Sequence, residues 1–473
     1  MITLTRRTVH TIRAVFRRVF SMNRETGPSL VFNGGPRGVC IQARRADSAI
    51  EFRQGNEPEP RQFTLPFKAL DVVGAKNDDL VTFQLRDGRV IVQWQDGAVP
   101  KTTQYDQPEM PEGFPALPAE MAKNPPGLLQ ALKDASATTD PGSLRYALGC
   151  IQLRSDRGRI VASDGRQLLV QSGFTFPWPD DILIPANKVF GSPCLPTDQT
   201  AYVGSSQDWF SLVVGSWTLH LQLNQDGRFP RVEDHIRDAG TALSTLRLAD
   251  QDADFFTDTI HRLPGDEAEN APVTVDLNGQ IAIRAASDDR THLTEVVLSN
   301  SSREGAAVRF NTNRRFLTRA TKLGFRNIEL AGLETPAHCR DETRVYAWAL
   351  LGQGDRVKAD TPTTRIESPV AAKATVRSAA IPSKRSPIPT MSEHKTSANG
   401  NGRKNVACDS APDPTTELDN GSPVERAEAL RDSLKVSLAR TRDLIQSLKR
   451  QKKQSRIVES TLASLRQLQT VDL

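Results

Sequence analysis

Three stretches of this 473-residue chain carry one pattern. Each reads as a strand, then Pro or Asn, then a short helix, then a strand hairpin. The first begins at Phe63 (FTLPFKALDVVGAKNDDLVTFQLRDGRVIVQW). The second begins at Asp181 (DILIPANKVF, then TAYVGSSQDWFSLVVG), and the third at Ala306 (AAVRFNTNRRFLTRATKLGFRNIELAG). Pro66, Pro185 and Asn311 are equivalent and stand 119 and 126 residues apart. A strand pair precedes each pattern, at 29–52, 148–173 and 271–300. An amphipathic helix candidate precedes each pair, at 4–20, 127–137 and 250–262. Solenoid repeats run about 20–45 residues, so a repeat of this length is a whole domain. The chain is expected to be α+β, with three tandem domains at 1–112, 113–240 and 241–356. Each is expected to pack two helices on antiparallel sheet.

The strands are legible one by one. Residues 80–94 alternate apolar side chains on both sides of Asp87-Gly88, and 208–223 turn near Gly215-Ser216. Both predict hairpins. After residue 356 the composition changes. Residues 357–422 are rich in Pro, Ser, Thr, Ala, Gly and Asn, and nearly without aromatics. Such a stretch buries too little apolar surface to offset chain entropy, so it is read as a disordered linker. Residues 423–473 follow a heptad register, with Ala427, Leu434, Leu448 and Leu462 at a, and Leu430, Leu444, Val458 and Leu465 at d. Five of the thirteen seam positions are polar, so a coiled-coil helix, a helical hairpin and a helix that folds on an unknown partner all remain open.

Composition excludes several classes. No apolar run reaches the ~18 residues of a membrane span. Five scattered cysteines (Cys40, Cys150, Cys194, Cys339, Cys408) give no disulfide framework and fit a reducing compartment. CxxC, HExxH and GxxxxGK[ST] are absent from the sequence. The seven histidines, the pair His338-Cys339 included, show no ligand spacing. No catalytic residue, metal ligand or cofactor is therefore assigned, and an enzyme on an unrelated α+β fold is disfavoured.

Charge divides the chain. From Lys358 onward 20 Lys and Arg stand against 13 Asp and Glu, whereas the body carries 41 against 43. The body still opens with no acid before Glu25. On a helix, Val9, Ile12, Val15, Phe16, Val19 and Phe20 share one face; Arg6, His10, Arg13 and Arg17 share the other, flanked by Arg7 and Arg18. A transit peptide, a membrane-surface helix and a helix packed on a sheet all fit this segment. The repeat favours the third, with the basic face toward an anionic partner.

The motifs RYALGCIQL (145–153), ASDGRQL (162–168), DGRFPRVEDHI (226–236) and RFNTNRRFL (309–317), in this order, resemble the bacterial DNA polymerase III beta subunit, the sliding clamp. The resemblance covers about residues 4–351. It implies a head-to-tail dimeric ring of six similar units, with helices lining the hole and sheets outside. The ring would enclose double-stranded DNA without reading sequence. It would tether DNA polymerase III, be opened by a clamp loader, and sit in the cytoplasm with the nucleoid. It would have no catalytic site. The resemblance places Arg6, Arg13, Arg17, Lys68, Arg145, Tyr146, Lys188, Arg314, Arg315, Arg319 and Lys322 along the DNA path. The bland alternative for each is a solvated surface charge. Asp250, Asp252, Asp254 and Asp258 make one helix acidic, which weakens DNA contact there.

The resemblance also implies an apolar pocket for short client peptides between the second and third domains. Its residues would be Ser163, Gly165, Arg166, Gln167, Leu168, Pro230, Ala347, Trp348, Ala349, Leu350 and Leu351. Without the resemblance, Leu168 and Trp348 read as core. Three departures from the family pattern stand out: Arg166-Gln167, Asp234-His235, and the edge strand AVPKTTQY (98–105). That edge strand is mostly polar and contains Pro100, which lacks a ladder donor. Its partner is expected near Ile260 and Leu263. These departures sustain a second reading, a divergent clamp-like adaptor that does not close on DNA and works through its tail. The C-terminal QLQTVDL (467–473) loosely resembles clamp-binding peptides and could reach the chain's own pocket.

Overall fold

A computed structural model describes residues 1–370, apart from 23–26, 37, 56–59, 112, 144–145, 266–269, 288–291 and 353–362. The heptad segment 423–473, with its terminal QLQTVDL, lies outside the described residues, as does Arg145.

One strand order occurs three times. It reads Ile2–Thr5, Leu80–Arg86, Arg89–Asp96, Val99–Asp106 in the first third. In the second it reads Ala122–Asn124, Ala201–Ser205, Trp209–Val214, Trp217–Gln222. In the last it reads Ser244–Arg247, Asn327–Leu330, Ala337–Arg340, Arg344–Trp348. A second order is also threefold. It runs Arg61–Leu65, Leu30–Gly34, Val39–Arg44, Ser48–Gln54, then Ile182–Pro185, Cys150–Arg154, Arg159–Ser163, Gln167–Gln171, and finally Arg309–Asn313, Pro272–Asp276, Ala282–Ala286, Leu293–Val297. The hairpin at Asp87-Gly88 is tight, because both residues adopt positive φ (48° and 78°), the twist a two-residue loop needs.

The thirds are joined through their sheets. Ser48–Gln54 pairs antiparallel with Trp217–Gln222, and Gln167–Gln171 pairs antiparallel with Arg344–Trp348. Two sheets, of eight and nine strands, therefore run through the junctions. At one end of the body the four-stranded sheet stops at Val99–Asp106. At the other, Leu293–Val297 carries one further strand, Thr363–Glu367. That strand corrects the reading of 357–422 as linker throughout. TTRIE needs no core of its own, because it borrows its partners from an existing edge.

Among the described residues five α-helices pack on the sheets: α1 (Arg6–Val19), α2 (Lys68–Val73), α3 (Leu128–Ser136), α4 (Asp250–Thr259) and α5 (Arg314–Lys322). The middle third has only a 3-10 turn, Lys188–Gly191, where a second helix was expected, because Gly191, Ser192 and Pro193 stop it. Thr5 caps α1 by accepting a bond from the Thr8 N–H at 3.1 Å. Val9, Ile12, Val15 and Phe16 have no exposed surface. The apolar face of α1 is thus spent on the core, against the membrane-surface and transit-peptide readings. Among the described residues no helix is long and apolar enough to cross a membrane.

His220 lies on a junction strand, buried, with its Nδ1 at 2.8 Å from Ser211 Oγ. Burial pushes its pKa down to about 4. In the unfolded chain it titrates near 6.5, so its contribution is intact above that pH and is lost as pH falls toward 4. At about 1.4 kcal/mol per unit, the loss amounts to roughly 3 kcal/mol. Denaturant titrations of the wild type between pH 7 and 4 should show it, and His220→Gln should flatten the slope. An unchanged slope would assign the acid sensitivity elsewhere.

Candidate functional site

The second junction holds a cleft of about 430 Å3. One wall begins at the strand end Ser163. The turn there is built by its own side chains. Asp164 Oδ1 accepts from the N–H groups of Arg166 and Gln167, each at 2.8 Å. Ser163 Oγ accepts from the Gly165 N–H and donates to the Gln167 carbonyl. Gly165 supplies the positive φ, +85°, that this reversal requires. The facing strand is locked by two buried aromatics. Tyr346 Oη donates to Gln167 Oε1 at 2.7 Å, and Trp348 Nε1 donates to Thr312 Oγ1 at 2.8 Å. Burial holds the Tyr346 phenol well above its ordinary pKa, so it stays a donor.

Ten of the eleven residues placed here by the resemblance line the cleft: Ser163, Gly165, Arg166, Gln167, Leu168, Ala347, Trp348, Ala349, Leu350 and Leu351. Pro230 does not. Val232, two residues on, lines it instead, over a small apolar cluster with Val161, Leu168 and Val170, on which Phe229 packs. Leu168 and Trp348 are both core and cleft floor, since Trp348 is only 1% exposed yet borders the cavity.

The residues missed are the rest of the rim: Leu333, Glu334, Thr335, Pro336 and Gly352. His338 ties its two sides together. Its Nε2 lies 2.8 Å from the His235 carbonyl and its Nδ1 lies 3.1 Å from the Pro336 carbonyl. Burial lowers its pKa, opposed by the two carbonyls, which raise it. The departures Arg166 and His235 also sit on this rim, Arg166 donating to Asn270 Oδ1 at 2.7 Å.

The helices form a single row of contacts. α2 packs on α1, α1 on the turn Lys188–Gly191, that turn on α3, and α4 on α5. Arg319 of α5 reaches the C-terminal end of α3, donating to the Asp134 carbonyl and to Thr138 Oγ1 at 2.8 Å. Several residues proposed for DNA are committed within the fold. Arg314 is fully buried and donates to the carbonyls of Ala271, Ile260, Leu263, Pro264 and Pro272. Arg6 is buried and donates to the Val73 and Gln95 carbonyls. Both are corrected to structural residues, because a buried guanidinium already spent on backbone carbonyls is not free to meet a phosphate. Arg13 and Arg17 share Asp71, which offsets part of their charge. Lys68, Lys188, Arg315 and Lys322 are exposed, and Tyr146 is 59% exposed.

Two further expectations change. Asp252 is not a surface acid. It is fully buried and accepts from the Asn300 N–H and Nδ2, Ser301 Oγ and Ser368 Oγ. Asp254 and Asp258 remain exposed, and Asp250 pairs with Arg326 at 2.7 Å. Ile260 and Leu263 lie in the core of the last third, so neither is an edge contact.

No family model and no curated protein matches this chain. Solved structures do. A DNA polymerase III beta chain from Streptococcus pneumoniae superposes with a TM-score of 0.62 at 12% identity, covering 74% of this chain and 99% of that one. A Pseudomonas aeruginosa sliding clamp bound to griselimycin gives 0.62 at 17%, with the same coverages. The C. crescentus beta sliding clamp gives 0.59 at 18%, covering 74% of this chain and 98% of that one. Each is spanned almost whole and the match leaves about a quarter of this chain over. The chain therefore has the fold of the DNA polymerase III beta subunit, the sliding clamp.

Proposed function

We propose that this protein is a DNA sliding clamp, a non-catalytic processivity factor that encircles duplex DNA and holds polymerase and other clients through the junction cleft. The observation that carries this is the repeated junction. Ser48–Gln54 and Gln167–Gln171 occupy equivalent places in their thirds, and each pairs with the last strand of the other set in the next third. Leu293–Val297 is the third such strand, and Val99–Asp106 is the strand that a following third would offer. Joining these ends between two copies gives a heterologous contact that closes into a ring. Lys68, Lys188, Arg315 and Lys322 suit phosphate contacts, which carry no sequence information. A closed ring needs few of them, because it leaves DNA only by opening or sliding off.

The test is topological. The protein, loaded on nicked circular DNA, should survive a high-salt wash and be released when the circle is linearised. Loss at the same rate from circle and line would favour the adaptor reading, for which the polar edge with Pro100 and the occupied edge at Leu293–Val297 speak.

The cleft is assigned to short apolar peptides, whose side chains its floor can bury. Leu333 stands exposed on the rim and leaves the core untouched. Leu333→Asp should weaken binding of a QLQTVDL peptide at least tenfold, about 1.4 kcal/mol, by fluorescence anisotropy. Equal affinity in both proteins would place the peptide elsewhere.

A further inference from the structure

The strand Thr363–Glu367 lies on Leu293–Val297 in parallel, from Leu293 opposite Thr363 to Val297 opposite Glu367. Both internal junctions, in contrast, are antiparallel. A strand edge has one row of free donors and acceptors, so it cannot carry both partners. We infer that this segment is a strap that occupies the edge a second copy needs, and so holds the ring open until it is displaced. The inference rests on the ring reading above.

The strap is fastened by polar contacts at its far end and gains little from burial. Thr363, Thr364, Arg365 and Glu367 are exposed, and Ile366 is half-buried. Arg365 reaches Gln280 Oε1 at 2.7 Å and Glu295 at 3.5 Å. The Ser368 N–H donates to the Val297 carbonyl at 2.9 Å, and its buried hydroxyl donates to Asp252 Oδ1 at 2.6 Å. The same hydroxyl accepts from the Ser299 N–H, and Asn300 Nδ2 donates to the Pro369 carbonyl. A strand with one half-buried aliphatic residue is removable without unfolding the sheet beneath it. It also competes well while seated. A segment on the same chain acts at an effective concentration of order mM, far above that of a second copy in solution. Opening the strap at Ser368 would remove its buried anchor and leave an exposed strand on the edge.

Hydrogen exchange on the full-length chain tests this over a concentration series, following two strands at once. In the wild type, Leu293–Val297 should be protected equally at every concentration, and the outward amides of Val99–Asp106 should exchange freely. Ile366→Pro removes a ladder donor from an exposed strand. In that variant the protection of Leu293–Val297 should fall by roughly tenfold at low protein and return as concentration rises, with Val99–Asp106 gaining protection in step. Arg365→Glu, which meets Glu295 with like charge, should move both strands the same way to a smaller extent. Val99–Asp106 already protected in the wild type, and no more so in the variant, would overturn the inference, because the strap would then not oppose closure. Unchanged exchange at Leu293–Val297 in both variants would overturn it too, by removing the strap from that edge. Exposure of Leu293–Val297 with Val99–Asp106 free at every concentration would seat the strap but refute the ring, and with it the competition.

Discussion

Arg314→Ala is expected to cost about 3–5 kcal/mol of stability, the largest effect of any single substitution considered, although the residue reads from sequence as a DNA contact. The side chain has no exposed surface and its guanidinium serves five carbonyls, from Ala271, Ile260, Leu263, Pro264 and Pro272. Those carbonyls come from the end of α4, the turn after it and the start of the strand Pro272–Asp276, so one planar cation gathers three pieces of backbone. Alanine leaves them unpaired in the interior, at about 1–3 kcal/mol each before water entry and relaxation reduce the sum. Lysine rescues little, since an ammonium has three donors and no fork. Urea unfolding checks this. The neighbouring Arg315→Ala is the contrast, because that side chain is exposed. It should leave stability within about 0.5 kcal/mol and act only on retention by circular DNA. A mild Arg314→Ala would mean that the carbonyls find other partners.

Asp252→Ala is expected to come next, at about 3 kcal/mol, the cost of stranding the groups that donate to a buried carboxylate. Its oxygens accept four bonds, from the Asn300 N–H and Nδ2, Ser301 Oγ and Ser368 Oγ, which fasten the first turn of α4 to the 299–301 turn and to the strap. These bonds hold the carboxyl below its ordinary pKa against the opposing effect of burial. The sign follows from that direction. The stabilisation is complete above the unfolded value near 3.9 and is lost as pH falls from there through the lower folded value. Asp252→Asn keeps the shape but offers one acceptor oxygen in place of two, and should lose about half as much. Unfolding curves at pH 7 and pH 3 check both statements. A loss in Asp252→Ala that persists undiminished at pH 3 would show that packing, and not the charge-assisted bonds, carries the effect.

These two residues show where sequence reading ends. The threefold period, the hairpins at Asp87-Gly88 and Gly215-Ser216, and the buried stripe of α1 follow from local rules. Alternation, turn chemistry and helical periodicity are written in neighbouring residues, and each needs no knowledge of the rest of the chain. The cleft was legible for a related reason. Ser163–Leu168 and Ala347–Leu351 are continuous runs at strand ends, so a motif match carries whole walls at once.

What tertiary structure alone decided is the fate of individual charges and edges. Arg314 and Arg315 are adjacent and chemically identical, yet α5 turns one into the core and the other to solvent. Asp252 and Asp254 divide the same way on α4. Composition cannot separate them, because burial of a charge depends on partners that lie far off in sequence: the carbonyls around Pro264 for Arg314, the 299–301 turn for Asp252. The cleft rim at Leu333–Pro336 and the strap at Thr363–Glu367 have the same origin. Neither segment has the periodicity of an element with its own core. Leu333–Pro336 is set opposite His235 by a buried imidazole that bridges two loops. Thr363–Glu367 becomes a strand only because Leu293–Val297 already presents an edge in register. Period and pattern thus fix the domains and their elements, since those are short-range. The edges that meet, and the charges that stay exposed, are set by long-range pairing that only the folded chain brings about.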